Sequence, residues 1–376
     1  MFGMRFPIEL PHKLRQLGLG LIDQQAAKTL IPALGEGSGH WFGGGNLLEE
    51  ASGQILLCGR YRNPGDSRTG IDLGDRGLEF AIFRGEDFDS PFEKIRAFSK
   101  DDLSLEDESV VSIEGGCLLS GNEGEGWELF VSTEKKVPYP EPLISFQKQG
   151  AGVWTIDRLS CRESNPAALN QATLSRALSS NEGGSLHLKD PVAFRSTDGS
   201  TQLLFCSHPF SWASSNTGLA TRSPGGDSFE IQTASVLRRG PSWDVACVRV
   251  TERLALPKLG VLADLPPASL YFYDGAECLR PLEQNPNAAN RPRGYSCEEL
   301  GGLAWGFDDE VPEMRRISTD FPLFISPHAT GCSRYVSAVF LRDGSLLAAW
   351  QQASPDGAQP LVGNFLSAEE VTNILD

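Results

Sequence analysis

An all-β, five-bladed β-propeller with a short helical segment at its amino end is the fold this sequence predicts, and three observations predict it. From about residue 40 almost to the end, short alternating strands are separated by clusters of Gly, Asp, Asn, Ser and Pro. Within that stretch one form recurs five times, a short strand, a turn and an apolar strand. No linker divides the stretch, which argues against the competing arrangements, a β-sandwich or two separate β domains. The expected division is residues 1–39 as a segment packed on the propeller and residues 40–376 as the propeller itself.

Composition agrees with a folded, turn-rich chain. The 376 residues include 40 Gly and 24 Pro, more than a helical protein tolerates, and the 40% of hydrophobic residues suffice for a sizeable core. A formal net charge of −16 argues against nucleic acid as the partner, because phosphate backbones are bound by an excess of Lys and Arg. The eight cysteines form no C-x-x-C pair, and Cys58, Cys117, Cys206 and Cys247 fall inside apolar runs, the places of reduced, buried thiols. The amino terminus has no basic region followed by an apolar core, and no run of apolar residues is long enough to span a bilayer. These features predict a cytoplasmic protein without a membrane partner.

In order along the chain, residues 12–35 carry a helical pattern through Leu14, Leu17, Leu21, Ile22, Ala26 and Leu30, ended by Pro32. The first hairpin is Trp41 to Arg60, and the second joins Val111–Leu119 to Trp127–Ser132. The third is the pattern's clearest case: Val192–Phe194, a turn at Asp198-Gly199, and a return over Gln202–Cys206, with Asp190 at its mouth and Pro191 opening the strand. The fourth sets Ser242–Val250 against Lys258–Ala263, and the fifth sets Arg334–Leu341 against Asp343–Trp350. Trailing segments at 78–83, 152–156, 217–221 and 269–273 supply further strands, enough for four per blade. The last ten residues, from Ser367, read as a short capped helix.

The innermost strand of each blade lines a propeller's central channel, so equivalent positions of the five first strands converge. By this overlay blade two offers Glu114, blade three Asp190 and blade four Asp244, while blade one offers Gly43 to Asn46 and blade five Arg334 and Tyr335. Three carboxylates are therefore expected at one opening. Two short motifs there, Ile113-Glu114-Gly115-Gly116 and Lys189-Asp190-Pro191, resemble segments of the five-bladed β-propeller glycosidases, the superfamily of arabinanases, β-xylosidases and invertases. The resemblance implies hydrolysis of a glycosidic bond in an oligosaccharide or glycoside, with Glu114 as general acid, Asp190 as the supporting carboxylate and Trp243-Asp244 standing in for the base or nucleophile. The order departs from that superfamily, in which blade one carries an Asp and the Glu follows both Asp residues.

Around these carboxylates, Arg60 and Arg62 are unusual charges beside a buried run, suited to neutralising Glu114 and Asp190 or to gripping an acidic sugar. Trp41, Trp212 and Tyr335 are candidate stacking platforms, and His187, His208 and Arg334 complete the expected pocket. No zinc spacing such as H-E-x-x-H occurs, and Gly43-Gly44-Gly45 lacks the Lys-Ser/Thr of a phosphate loop. The chemistry requires no cofactor, although converging acidic oxygens would also suit a calcium ion in the channel. Two other readings stay open: a noncatalytic carbohydrate-binding or scaffold propeller, and a polysaccharide lyase using Tyr335 or His187 as base with Arg60 neutralising a uronate.

Overall fold

A computed structural model describes residues 6–64, 77–121, 126–277, 299–308 and 312–376. Its strands form five antiparallel sheets arranged as the blades of a propeller. In blade one the inner strand is interrupted: β2 (Trp41–Gly43) and β3 (Leu47–Glu49) both pair with β4 (Ile55–Arg62), followed outward by β5 (Glu79–Gly85) and β6 (Glu93–Ser99). Blade two is β7 (Val110–Ser120), β8 (Trp127–Lys135), β9 (Val153–Cys161) and β10 (Ser175–Leu178). Blade three is β11 (His187–Arg195), β12 (Thr201–His208), β13 (Asn216–Arg222) and β14 (Glu230–Leu237).

Blade four departs from the expected pairing. Its inner strand β15 (Cys247–Ala255) pairs with β16 (Ala268–Ala276), and β17 (Leu300–Phe307) and β18 (Arg315–Arg316) follow. The apolar residues near Lys258 instead occupy a loop with a 3₁₀ turn at Gly260–Leu262. Blade five is β19 (Ser333–Phe340), β20 (Leu346–Gln352), β21 (Leu361–Leu366) and, outermost, β1 (Lys28–Ile31). The ring is thus closed by the amino-terminal part of the chain covering the edge of the last sheet, which removes an otherwise open ladder.

The expected helix over 12–35 is shorter. Helix α1 spans Leu10–Leu21 and buries Leu10, Leu14, Leu17 and Leu21, one face of a 3.6-residue period. Its end is held by Asn364, whose side-chain amide donates to the carbonyls of Gly20 and Leu21 (3.1 and 3.0 Å). Beyond it Lys28-Thr29-Leu30-Ile31, with two β-branched residues, pairs with β21 rather than continuing the helix. Helix α2 (Ala368–Leu375) starts as expected, with Ser367 and Glu370 forming a reciprocal capping box.

The core is a set of seams between blades. One apolar cluster joins blades one and two through Leu56, Phe80, Leu118 and Leu129, and a second joins two and three through Phe130, Ile156, Leu203 and Phe205. A third joins three and four through Leu204, Leu219, Val250 and Tyr271, and a fourth joins blades four and five to both helices through Leu270, Leu303, Trp305 and Trp350. A fifth, with Phe42, Leu57, Ala349 and Leu361, closes the ring. Because each blade is covered on both faces, inner and second strands such as β4 and β20 are buried at every position instead of alternating. Six of the cysteines, Cys58, Cys117, Cys161, Cys206, Cys247 and Cys332, are free thiols, and Cys278 and Cys297 lie outside the described residues.

Candidate functional site

All five inner strands lose their regular register near one level of the channel. Pairing shifts between Ile113 and Gly116, between Lys189 and Val192, between Val250 and Glu252, and between Arg334 and Ser337, while β2 and β3 are separated by Gly44, Gly45 and Asn46. Bulges re-aim side chains. Here they turn one residue per blade toward the axis, where Gly44, Gly115, Asp190, Thr251 and Tyr335 line a small cavity. Two of these residues hold left-handed backbones without being glycine, Asp190 at φ 51° and Tyr335 at φ 53°. Such a conformation costs on the order of 1–2 kcal/mol per residue, more tolerable for Asp than for Tyr. It is sustained by tertiary bonds: Asp190 N–H donates to Ser132 Oγ (3.1 Å), and Tyr335 N–H donates to the Asp274 carboxylate (3.0 Å).

Strand β11 therefore begins earlier than the sequence suggests. It runs from His187, and Asp190-Pro191 forms a bulge inside it, so the proline interrupts the ladder instead of opening it. Two glycines make the convergence feasible. A Cβ on Gly115 would stand 2.5 Å from Asp190 Oδ1, the atom to which Gly115 N–H donates (3.1 Å). Gly44, at φ 75°, lies against Gly115 and the Tyr335 ring, and its carbonyl accepts from Gly116 N–H (2.8 Å).

Glu114 and Asp190 are thus brought together at the mouth, and both are buried. Arg60, which leaves β4 beside them, donates to Glu114 Oε2 from Nε (2.9 Å) and Nη2 (2.7 Å). Burial pulls the Arg60 pKa down, but Glu114, Tyr335 and Asp190 together outweigh it and raise the value, so the guanidinium is held charged. Arg249 of β15, missed in the sequence, holds Asp190 Oδ2 through Nη1 (3.0 Å) and both Asp274 and Glu299 through Nη2 (2.8 Å each). Its guanidinium lies 4.0 Å from the centre of the Tyr335 ring. Burial raises the Asp274 carboxyl to about 6 against the pull of Arg249. Glu299, only partly buried, is brought down to about 2 because Arg249 and Arg334 both grip it.

Asp244 is a correction. It lies ahead of β15, not in it, and its Oδ2 pairs with Arg316 Nε of the outermost strand β18 (2.8 Å), beside Gly240 and Gly275. The position of blade four equivalent to Asp190 is occupied by Val250 and Thr251, which carry no charge. Trp243 gave the misleading signal, since its apolar ring packs on Tyr273 in the blade core (5.5 Å) and not at the channel.

The other expected pocket residues divide into two groups. Trp41 lies under two guanidiniums, Arg62 at 3.8 Å and Arg334 at 4.3 Å from its ring centre, so its π surface is already engaged by cations and is not the expected sugar platform. On the opposite side, Trp212, itself at φ 55°, stacks on His187 (4.3 Å) and tilts over His208 (4.6 Å). Trp154 N–H donates to His187 Nδ1 (3.4 Å), which leaves Nε2 to donate to Tyr139 Oη (3.0 Å). Burial, then Lys189, lowers the His187 pKa to about 3 and that of His208 well below the ordinary value, so both imidazoles are neutral. Lys189 spans the two groups. Its Nζ lies 4.6 Å from the centre of the Trp154 ring, 5.6 Å from that of Trp212 and 3.9 Å from Glu114 Oε1.

These contacts speak to the chemistry. Burial and Asp190, to which Tyr335 Oη donates (3.4 Å), raise the Tyr335 phenol well above its ordinary value despite Arg249, which disfavours its use as a lyase base. For a calcium ion the donor set fits poorly: Glu114 and Asp190 are taken by guanidiniums, and no cluster of three His, Cys, Asp or Glu suited to a metal occurs among the described residues. The signal that would have revealed Arg249 is its register. Once Cys247-Val248-Arg249-Val250 is placed as the inner strand paired with β16, Arg249 falls opposite Asp274, just ahead of the bulge that follows Val250.

No family model matches the chain, and no curated protein matches its sequence. Solved structures do match in fold. A glycoside hydrolase superposes with a TM-score of 0.63 at 9% identity over 96% of each chain. An α-L-arabinofuranosidase from Lactobacillus brevis gives 0.55 at 10% identity over 92% of each, and a β-xylosidase gives 0.53 at 9% identity over 91% of this chain and 95% of its own. The chain therefore shares the five-bladed β-propeller fold of the xylosidase and arabinofuranosidase type of glycoside hydrolase.

Proposed function

We propose that this glycoside-hydrolase-like propeller binds a saccharide at the channel mouth and that the mouth serves recognition rather than cleavage. One observation carries this reading: each of the four carboxylates there, Glu114, Asp190, Asp274 and Glu299, is held by a buried arginine. Glycoside cleavage needs one carboxyl protonated as general acid beside one ionised carboxylate. Charge-assisted bonds to a guanidinium favour the ionised form, so Glu114 in the grip of Arg60 is poorly suited to donate a proton. What remains suits sugar binding, namely the half-exposed Trp212 face and the Lys189 ammonium beside it.

A second reading, hydrolysis, is favoured by the bond from Gly115 N–H to Asp190, which brings together the two segments whose motifs resemble those of glycosidases. In it Glu114 would act as acid and Asp190 as base or nucleophile, with Arg60 released from Glu114 on substrate binding. Calorimetric titration with xylo- and arabino-oligosaccharides, run beside an aryl-glycoside hydrolysis assay, separates the two. Recognition is expected to appear as saturable binding without sugar release. Sugar release that falls by ~10²–10⁴-fold in Glu114→Gln would establish the second reading, the loss usual for a positioned general acid. Absence of both binding and release across the panel would overturn both.

A further inference from the structure

We infer that the saccharide is a chain and that one of its outer units rests on Phe146 and Phe210, at the rim beside the Trp212 wall; the inference rests on the reading of the mouth as a saccharide site. The loop from β8 to β9 crosses this rim through a short 3₁₀ turn, Glu141–Phe146, and two large apolar side chains on it stay exposed, Ile144 at 46% and Phe146 at 60%. The Phe146 ring lies 5.0 Å from that of Phe210. Phe210 is two residues before Trp212, and Tyr139, at the start of the same loop, bonds to the His187 ring on which Trp212 stacks. Both loops are thus tied to His187, the first residue of the inner strand that carries Asp190. Aromatic side chains thus lead from Trp212, which packs on the buried Trp154 (6.4 Å) at the mouth, to Phe210 two residues before it and Phe146 outside it.

The loop is also braced from within. The Gln147 side chain donates to the carbonyls of Val137 (3.0 Å) and Ala151 (2.7 Å) and accepts from Tyr139 N–H (3.0 Å). Leu143 and Phe210 pack on Tyr139, Val153 and Leu186. A rigid loop that presents aromatic faces to water is unfavourable for the free protein, because exposed apolar surface remains unburied. The C–H face of a sugar ring would cover it at little entropic cost, since the platform is already ordered. A single sugar seated against Trp212 would leave Phe146 uncovered, so the arrangement selects a chain.

Titration with xylose, xylobiose and xylotriose, and with the matching arabinose series, tests this. In the native protein affinity is expected to rise about tenfold from one unit to three, the size of one added stacking contact. In Phe146→Ala the rise should shrink to less than about threefold, in Phe146→Tyr it should persist, and it should also persist in Ile231→Ala, which alters an exposed apolar residue on the distant outer strand β14. Binding with no dependence on chain length, or a rise left intact in Phe146→Ala, would overturn the inference while leaving the mouth reading standing. Failure of every sugar to bind would overturn the mouth reading and the inference with it. A shift in self-association of Phe146→Ala in sedimentation, with the rise intact, would reassign the patch to contact between copies of the chain.

Discussion

Asp190 and Asp244 look alike in the sequence, each an acidic residue beside a bulky or ring-bearing neighbour near the start of an inner strand. Their surroundings make them different chemical objects. Asp190 sits in a left-handed bulge at the axis and shares its two oxygens among Gly115, Tyr335 and Arg249, whereas Asp244 is fully buried away from the axis and bound to Arg316. Asp190→Asn preserves the backbone, because Asn tolerates φ > 0, but it can turn an amide toward the Arg249 guanidinium. Saccharide affinity is expected to fall by about tenfold or more, with little change in stability, since Arg249 keeps Asp274 and Glu299. Asp244→Asn should behave in the reverse way, losing about 2 kcal/mol of stability through a weakened buried pair while binding stays within twofold. Parallel urea unfolding and calorimetric titration of the two variants check both statements, and equal binding losses would restore Asp244 to the site.

At the scale of elements, strand content and blade number were legible because each hairpin repeats a short strand, a turn and an apolar strand. What failed was pairing over the long loops. The segment after β15 contains Leu259, Val261 and Leu262, apolar enough to imitate a returning strand, yet the true partner β16 lies beyond it at Ala268–Ala276. The outermost strand of blade five was hidden for another reason. Lys28–Ile31 follows a helical stretch and is only four residues long, and its identity comes from the distant β21 through pairs such as Lys28 with Gly363 and Thr29 with Val362. Removing residues 1–31 would strip α1 from the apolar cluster it shares with blades four and five and leave β21 as an open edge. The melting temperature is expected to drop by more than about 10 °C, with self-association visible by size exclusion. A truncated chain that melts like the parent would show that the ring does not depend on this closure.

For the whole molecule, the repeat that made the fold readable is also why the site was only half readable. A repeat aligns positions, but it does not say which charges oppose one another across an axis. Glu114 and Asp190 could be matched from their own blades, while Arg249, Asp274 and Glu299 acquire meaning only when three inner strands and their neighbours meet. The seams between blades follow the same logic, and one of them contains a titrating group. Glu252 of β15 crosses the seam to blade five, where it accepts from Ser337 Oγ (2.6 Å) and Ala338 N–H (3.3 Å), with Arg253 as its neighbouring cation. Burial outweighs these contacts and raises its pKa from 4.5 to about 7. Between those values the folded chain binds more protons than the unfolded one, so the contribution of Glu252 to stability is fully present below 4.5 and is lost as the pH rises through about 7. Glu252→Gln keeps the size and hydrogen-bonding reach of the side chain but not the titration. Relative to the parent, it should therefore gain stability from pH 5 to about pH 7 and level off by pH 8, read as the difference in urea midpoints at each pH. A difference that stays constant over that range would mean that the seam buries an ionised Glu252, held by Ser337 and Ala338 more firmly than burial opposes it.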